Sequence, residues 1–165
     1  LFYMETSEWT NMYRFALKII EKEQFRRKND LVENRLCIVH LDHALELLLK
    51  AYLIKEGYYI YKLNNSVIRK GLRSDTTVKE LLKKDRTIDF IDALDIVSKE
   101  ASFDEELKKE IITFHRLRNE IQHRALDLPL SKSESIQKFL PSLKKVFETL
   151  FPRYAVMFPH LHLLE

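Results

Sequence analysis

Arg118, Asn119 and His123 bring a guanidinium, an amide and an imidazole into one six-residue stretch, and His115 stands just ahead of them. Imidazole gains and loses protons near neutral pH, and guanidinium presents a flat fork of donors to phosphate or carboxylate. Read as a helix at about 100° per residue from Leu107, the surrounding segment has an apolar stripe of Leu107, Ile111, Phe114, Ile121 and Ala125. Arg118 falls at about 20°, inside that stripe, while His115, Asn119 and His123 follow at about 80°, 120° and 160° as an i, i+4, i+8 row. A guanidinium cannot shed its charge, so one set in a core needs an anionic partner.

A second segment shows a matching intrusion. From Leu36 to Ile54 the sequence is apolar nearly all round, which predicts the central helix of a bundle. His43, Glu46 and Lys50 interrupt it on a single wedge. Glu46 is therefore the expected partner of Arg118, through a bidentate ion pair. Such a pair is equally compatible with a purely structural role.

These residues must be held by helices, because periodicity predicts helix almost throughout. The expected elements are Glu5 to about Arg27, Leu31–Glu56 closed by Gly57, Thr77–Lys84, Ile88–Ala101, Phe103–Ala125 and Ser133–Leu150. Ser102 with Glu105 three residues on reads as a capping box for the fifth of these. Tyr58 to Ser74 reads as a loop with a short extended stretch. Its tyrosines Tyr58, Tyr59 and Tyr61, beside basic residues, are the one cluster considered for contact with RNA bases. Residues 1–165 are thus expected to form one all-α domain, a bundle of five to six helices.

Composition excludes the main alternatives. Only 2 of 165 residues are glycine, Gly57 and Gly71, so folds that need Gly-rich turns or phosphate loops are ruled out. The single cysteine, Cys37, permits neither an internal disulfide nor a Cys-based zinc site, and it suits a reducing compartment. No run of about 18 apolar residues is present, so no membrane span is expected, and Glu5 and Glu8 interrupt any secretion signal at the start. His40 with His43, and His160 with His162, lack a third ligand at metal spacing, so neither metal nor cofactor is expected. The net charge of +3 tolerates a polyanionic partner.

The segment Phe114–Arg124, FHRLRNEIQHR, resembles the signature of HEPN domains: an Arg, a polar residue that is often Asn, then a His a few residues on. The segment His40–Gly57, HLDHALELLLKAYLIKEG, is similar to that family's early helix with its embedded Glu and Lys. The resemblance implies a helical bundle and a metal-independent endoribonuclease that acts as a cytoplasmic homodimer. Its catalytic pair maps to Arg118 and His123 with Asn119 as companion; the helical angles, not the resemblance, add Glu46, His115 and His43 as supporting residues. It further implies a toxin–antitoxin or phage-defence setting, with RNA as substrate and a cognate antitoxin or a nucleotidyltransferase as partner. Some members of that family are instead inactive scaffolds or nucleotide-binding partners of a nucleotidyltransferase.

The chemistry fits the residue types. Cleavage of RNA by its own 2′-hydroxyl needs one proton removed and one delivered, which histidine can do. Charge on the phosphoryl oxygens calls for a fixed guanidinium. Arg118 and His123 lie about 140° apart on one helix, so two chains around a two-fold axis are expected to complete one cleft.

Overall fold

A helix that is apolar on every side has no face to give to water and must sit inside. In the computed structural model, which describes residues 7–24, 31–63, 82–124 and 133–155, that helix is α2 (Leu31–Lys55). It packs against α1 (Glu8–Gln24), α3 (Phe90–Glu100), α4 (Glu105–His123) and α5 (Ser133–Leu150). A short turn of helix, α6 (Pro152–Ala155), follows. Leu41, Ala44, Leu45, Leu48, Leu49 and Leu53 of α2 are buried against Ala16 and Ile20 of α1, Leu94 and Val97 of α3, Ile111 of α4 and Leu143 and Phe147 of α5 in one core. Trp9, Tyr13, Phe147 and Phe151 add an aromatic cluster that ties α1 to α5. The all-α bundle expected from the sequence is the fold observed.

One element departs from that expectation. Leu82–Thr87 is a strand, β2, paired antiparallel with β1 (Tyr61–Leu63), where the sequence pattern predicts the end of a Thr77–Lys84 helix. An eight-residue helix is marginal without tertiary support, and the extended Tyr61–Leu63 offers a backbone ladder instead. The register shifts between Tyr61 and Lys62, where the partner moves from Thr87 to Lys83, so this two-stranded ribbon is irregular at that point. The rest of the predicted helix, and Gly71, lie outside the described residues.

The helices stop and start at identifiable residues. α2 closes with Gly57 at φ 86°, and Tyr58 N–H donates back to the Leu53 carbonyl at 2.8 Å. α3 ends the same way, with Ser102 at φ 54° and Phe103 N–H donating to the Ser98 carbonyl at 2.9 Å. Both are the wrap-around termination that favours a left-handed residue. Ser102 thus ends α3 rather than capping α4. The cap of α4 is Asp104, whose carboxylate accepts from Leu107 N–H at 2.7 Å.

Direction follows from the contacts. Thr87 meets Lys50 where α3 begins, and Tyr58 meets Glu100 where it ends, so α3 runs parallel to α2. α4 returns antiparallel, with Lys108 on Asp95 and His115 on Phe90. Its C-terminal half, carrying Arg118 and His123, therefore points toward the first turns of α2.

Asp104 also binds Lys145 of α5, and this bond, with the Leu107 N–H second, holds its carboxyl below the usual value of 3.8. A carboxyl depressed on folding stabilises the fold above its unfolded value and loses that effect as pH falls through the folded value. Asp104→Asn, which keeps a capping oxygen but not the charge, should therefore unfold at lower urea than the wild type at about pH 7. The gap should narrow once pH falls below 3.8 and close when the folded Asp104 carboxyl is itself protonated. A gap unchanged across that range would show that the Lys145 contact contributes nothing.

Candidate functional site

The polar intrusion on α4 meets α2 at a carboxylate, but at Asp42 and not at Glu46. Asp42 has no exposed side-chain surface. Its two oxygens lie 3.0 and 3.2 Å from Nδ1 of His115. Nε of Arg118 lies 3.5 Å from the same carboxylate, an ion pair without a formal hydrogen bond. One Arg118 terminal nitrogen donates to the Asn119 side-chain oxygen at 2.8 Å. The bidentate Arg118–Glu46 pair expected from the sequence is replaced by this arrangement. Glu46 stands one turn further along α2, where it accepts from Lys50 at 2.5 Å, and Lys50 in turn donates to the Thr87 hydroxyl at 2.6 Å.

His115 is fixed on two sides. Its edge faces Asp42, and its ring lies flat on Phe90 with centroids 3.9 Å apart and planes 2° from parallel. Exposure rises outward through the cluster, from none at Asp42 to 12% at the His115 side chain and 22% at that of Arg118. His123, at the last residue of α4, is exposed. The sequence-predicted residues therefore divide. Arg118, Asn119 and His115 form one bonded group, and His123 stands on the same helix beyond it. Glu46 belongs to the Lys50–Thr87 tie, and His43 turns toward α1, where its ring meets Phe15 edge-on at 6.1 Å.

Two contributors escaped the sequence reading, Asp42 and Phe90. A signal for Asp42 was available: on a helix that is apolar all round, any carboxylate ends up buried, and Asp42 precedes Glu46 by one turn. Phe90 carries none, because its role depends on how α3 and α4 pair.

Other features lie apart from the cluster. A cavity of about 660 Å³ opens between α4 and α5 over the stacked rings of Phe114 and Phe139, on the opposite flank of the α4 stripe. Tyr59 and Tyr61 pack edge to face near the start of the ribbon, and Tyr58 reaches Glu100, which pushes its hydroxyl above the usual value of 10.0. Among the described residues, no three or more His, Cys, Asp or Glu side chains are grouped for a metal ion, and no helix is long and apolar enough to cross a membrane. His40 is bound to the buried Glu23 of α1, and His160 and His162 lie outside the described residues.

The class of protein is thus an all-α bundle whose central helix anchors an Arg–Asn–His row through a buried aspartate. Residues 31–162 match the model of a family described as "Domain of unknown function (DUF3644)", and the chain belongs to that family. The match begins where α2 begins and includes Asp42, Phe90, His115, Arg118 and His123. No curated protein and no solved structure matches the chain significantly.

The cluster makes unequal demands on its members. Removing Asp42 leaves a cation and an imidazole without their shared anion, whereas removing Arg118 leaves Asp42 still bonded to His115. Asp42→Ala should therefore cost about 3–5 kcal/mol of stability, and Arg118→Ala about 1 kcal/mol. Urea unfolding of the two variants checks this, and equal losses would contradict the shared-anchor geometry.

Proposed function

We propose that this protein is a metal-independent endoribonuclease of the HEPN type, which works as a cytoplasmic homodimer in a toxin–antitoxin or phage-defence setting. The observation that carries the reading is the state of Arg118. Its guanidinium is tethered to a carboxylate sealed from water, yet 22% of the side chain remains exposed, on the same helix as the exposed His123. A cation held from behind, with part of its side chain in solvent, suits a phosphodiester, because Asp42 is the one carboxylate paired with it among the described residues.

In this reading the 2′-hydroxyl of RNA attacks the adjacent phosphorus, and Arg118 balances the charge gathering on the phosphoryl oxygens. His123 supplies imidazole chemistry, and Asn119 keeps the Arg118 fork in place through its 2.8 Å bond. The products are a 2′,3′-cyclic phosphate and a 5′-hydroxyl. Because Arg118 and His123 are about 140° apart around α4, one chain converges poorly on a single phosphate, and a second chain across a two-fold axis completes the cleft. A cognate antitoxin or a nucleotidyltransferase is the further partner of this reading.

The test is cleavage of a mixed RNA by the purified chain in EDTA. Arg118→Ala and His123→Ala should each lower the rate by about 10²-fold or more. Light scattering should give twice the chain mass of 19.8 kDa. Cleavage that survives His123→Ala, or that stops in EDTA, is incompatible with the mechanism. Failure to cut any RNA would favour an inactive scaffold or a nucleotide-binding partner of a nucleotidyltransferase.

A further inference from the structure

We infer that His115, held by Asp42, is a catalytic residue of the proposed cleavage: the proton acceptor for the 2′-hydroxyl, working beside Arg118 of its own chain. The inference rests on the endoribonuclease reading and adds to it a residue outside the Arg118–His123 pair.

Four observations carry it. First, His115 and Arg118 are three residues apart and about 60° apart around α4, so both can address one phosphodiester, whereas His123 is about 140° away. Second, Nδ1 of His115 faces both oxygens of Asp42, at 3.0 and 3.2 Å. An ionised carboxylate only accepts, so Nδ1 is the donor, and in the neutral imidazole Nε2 then holds the lone pair. Third, Nε2 makes no hydrogen bond among the described residues, and it is not one of the side-chain atoms sealed from solvent without a partner. Fourth, stacking on Phe90 fixes the plane of the ring and the Asp42 bond selects one of its two flips, so the free nitrogen has a fixed direction. A histidine that merely tied α2 to α4 would need only its Nδ1. Here a second nitrogen is basic and unused.

Nε2 of His115 takes the proton of the 2′-hydroxyl as the O2′–P bond forms. The P–O5′ bond breaks, its electron pair goes to O5′, and O5′ takes a proton from the imidazolium of the partner subunit's His123. Asp42 stabilises the imidazolium formed at His115. The two histidines then exchange protons with water and return to their starting states.

The decisive variant is His115→Gln. Its side-chain amide can still donate to Asp42 and lie against Phe90, but it cannot accept the proton. Cleavage should fall by about 10²-fold or more, while circular dichroism and the thermal midpoint stay close to wild type. Cleavage by His115→Ala should be partly restored by added imidazole and yield the same cyclic phosphate ends. Activity of His115→Gln within about threefold of wild type would overturn the assignment while leaving the endoribonuclease reading standing, as would a folded His115→Ala that ignores imidazole. If His115→Ala does not fold, His115→Gln decides alone. A wild-type chain that cuts no RNA would overturn the endoribonuclease reading and this assignment together.

Discussion

A carboxylate with no surface in water has to be neutralised where it stands, and in this protein Asp42 sets the terms for everything around it. Its side chain lies at the centre of the most buried helix, so its partners can come only from neighbouring helices. Both come from α4, spaced three residues apart so that they emerge on one face. That requirement fixes the register of α4 on α2. Sliding α4 by one turn, about 5.4 Å, would withdraw His115 and Arg118 at once and leave the charge bare. The apolar stripe of α4 tolerates a slip more readily, because Leu107, Ile111 and Ile121 are close in volume. The single carboxylate does not.

Much of this was legible in the sequence. The position of α2 followed from having no polar face, and the oddity of Arg118 followed from its angle within a stripe. What the periodicity could not supply was the rotation of α2 relative to α4. Asp42 and Glu46 differ by about 40° around the helix and one turn along it, a difference smaller than the freedom with which two helices can pack. Glu46 was the conspicuous candidate because Lys50 and His43 marked its wedge as polar. Its partner was in fact that same Lys50, four residues on, the ordinary spacing for a helical ion pair. Local pairing satisfied Glu46 and left the long-range role to Asp42.

The ribbon shows a different limit. Leu82 and the residues after it carry no strong strand signature, and their extended form comes from pairing with Tyr61–Leu63, about twenty residues earlier in the chain. Thr87 then anchors the end of β2 to Lys50, three residues before Phe90 begins α3. The ribbon thus delivers Phe90 to the face of His115. No window of local sequence contains both ends of that relation. Ser102 misled for a related reason: its hydroxyl chemistry suggests a cap, but its backbone serves the helix that comes before it.

The gradient of exposure across the cluster has an electrostatic consequence. Asp42 is innermost, and Arg118 reaches the surface, so the pair forms a dipole with its positive end outward. Taken as a sum, an aspartate and an arginine are neutral and would count for nothing in the net charge of the chain. Taken as an oriented pair set in a medium of low polarizability, they project positive potential into the solvent in front of α4. The chain need not be strongly basic to present an anion with a favourable place to approach.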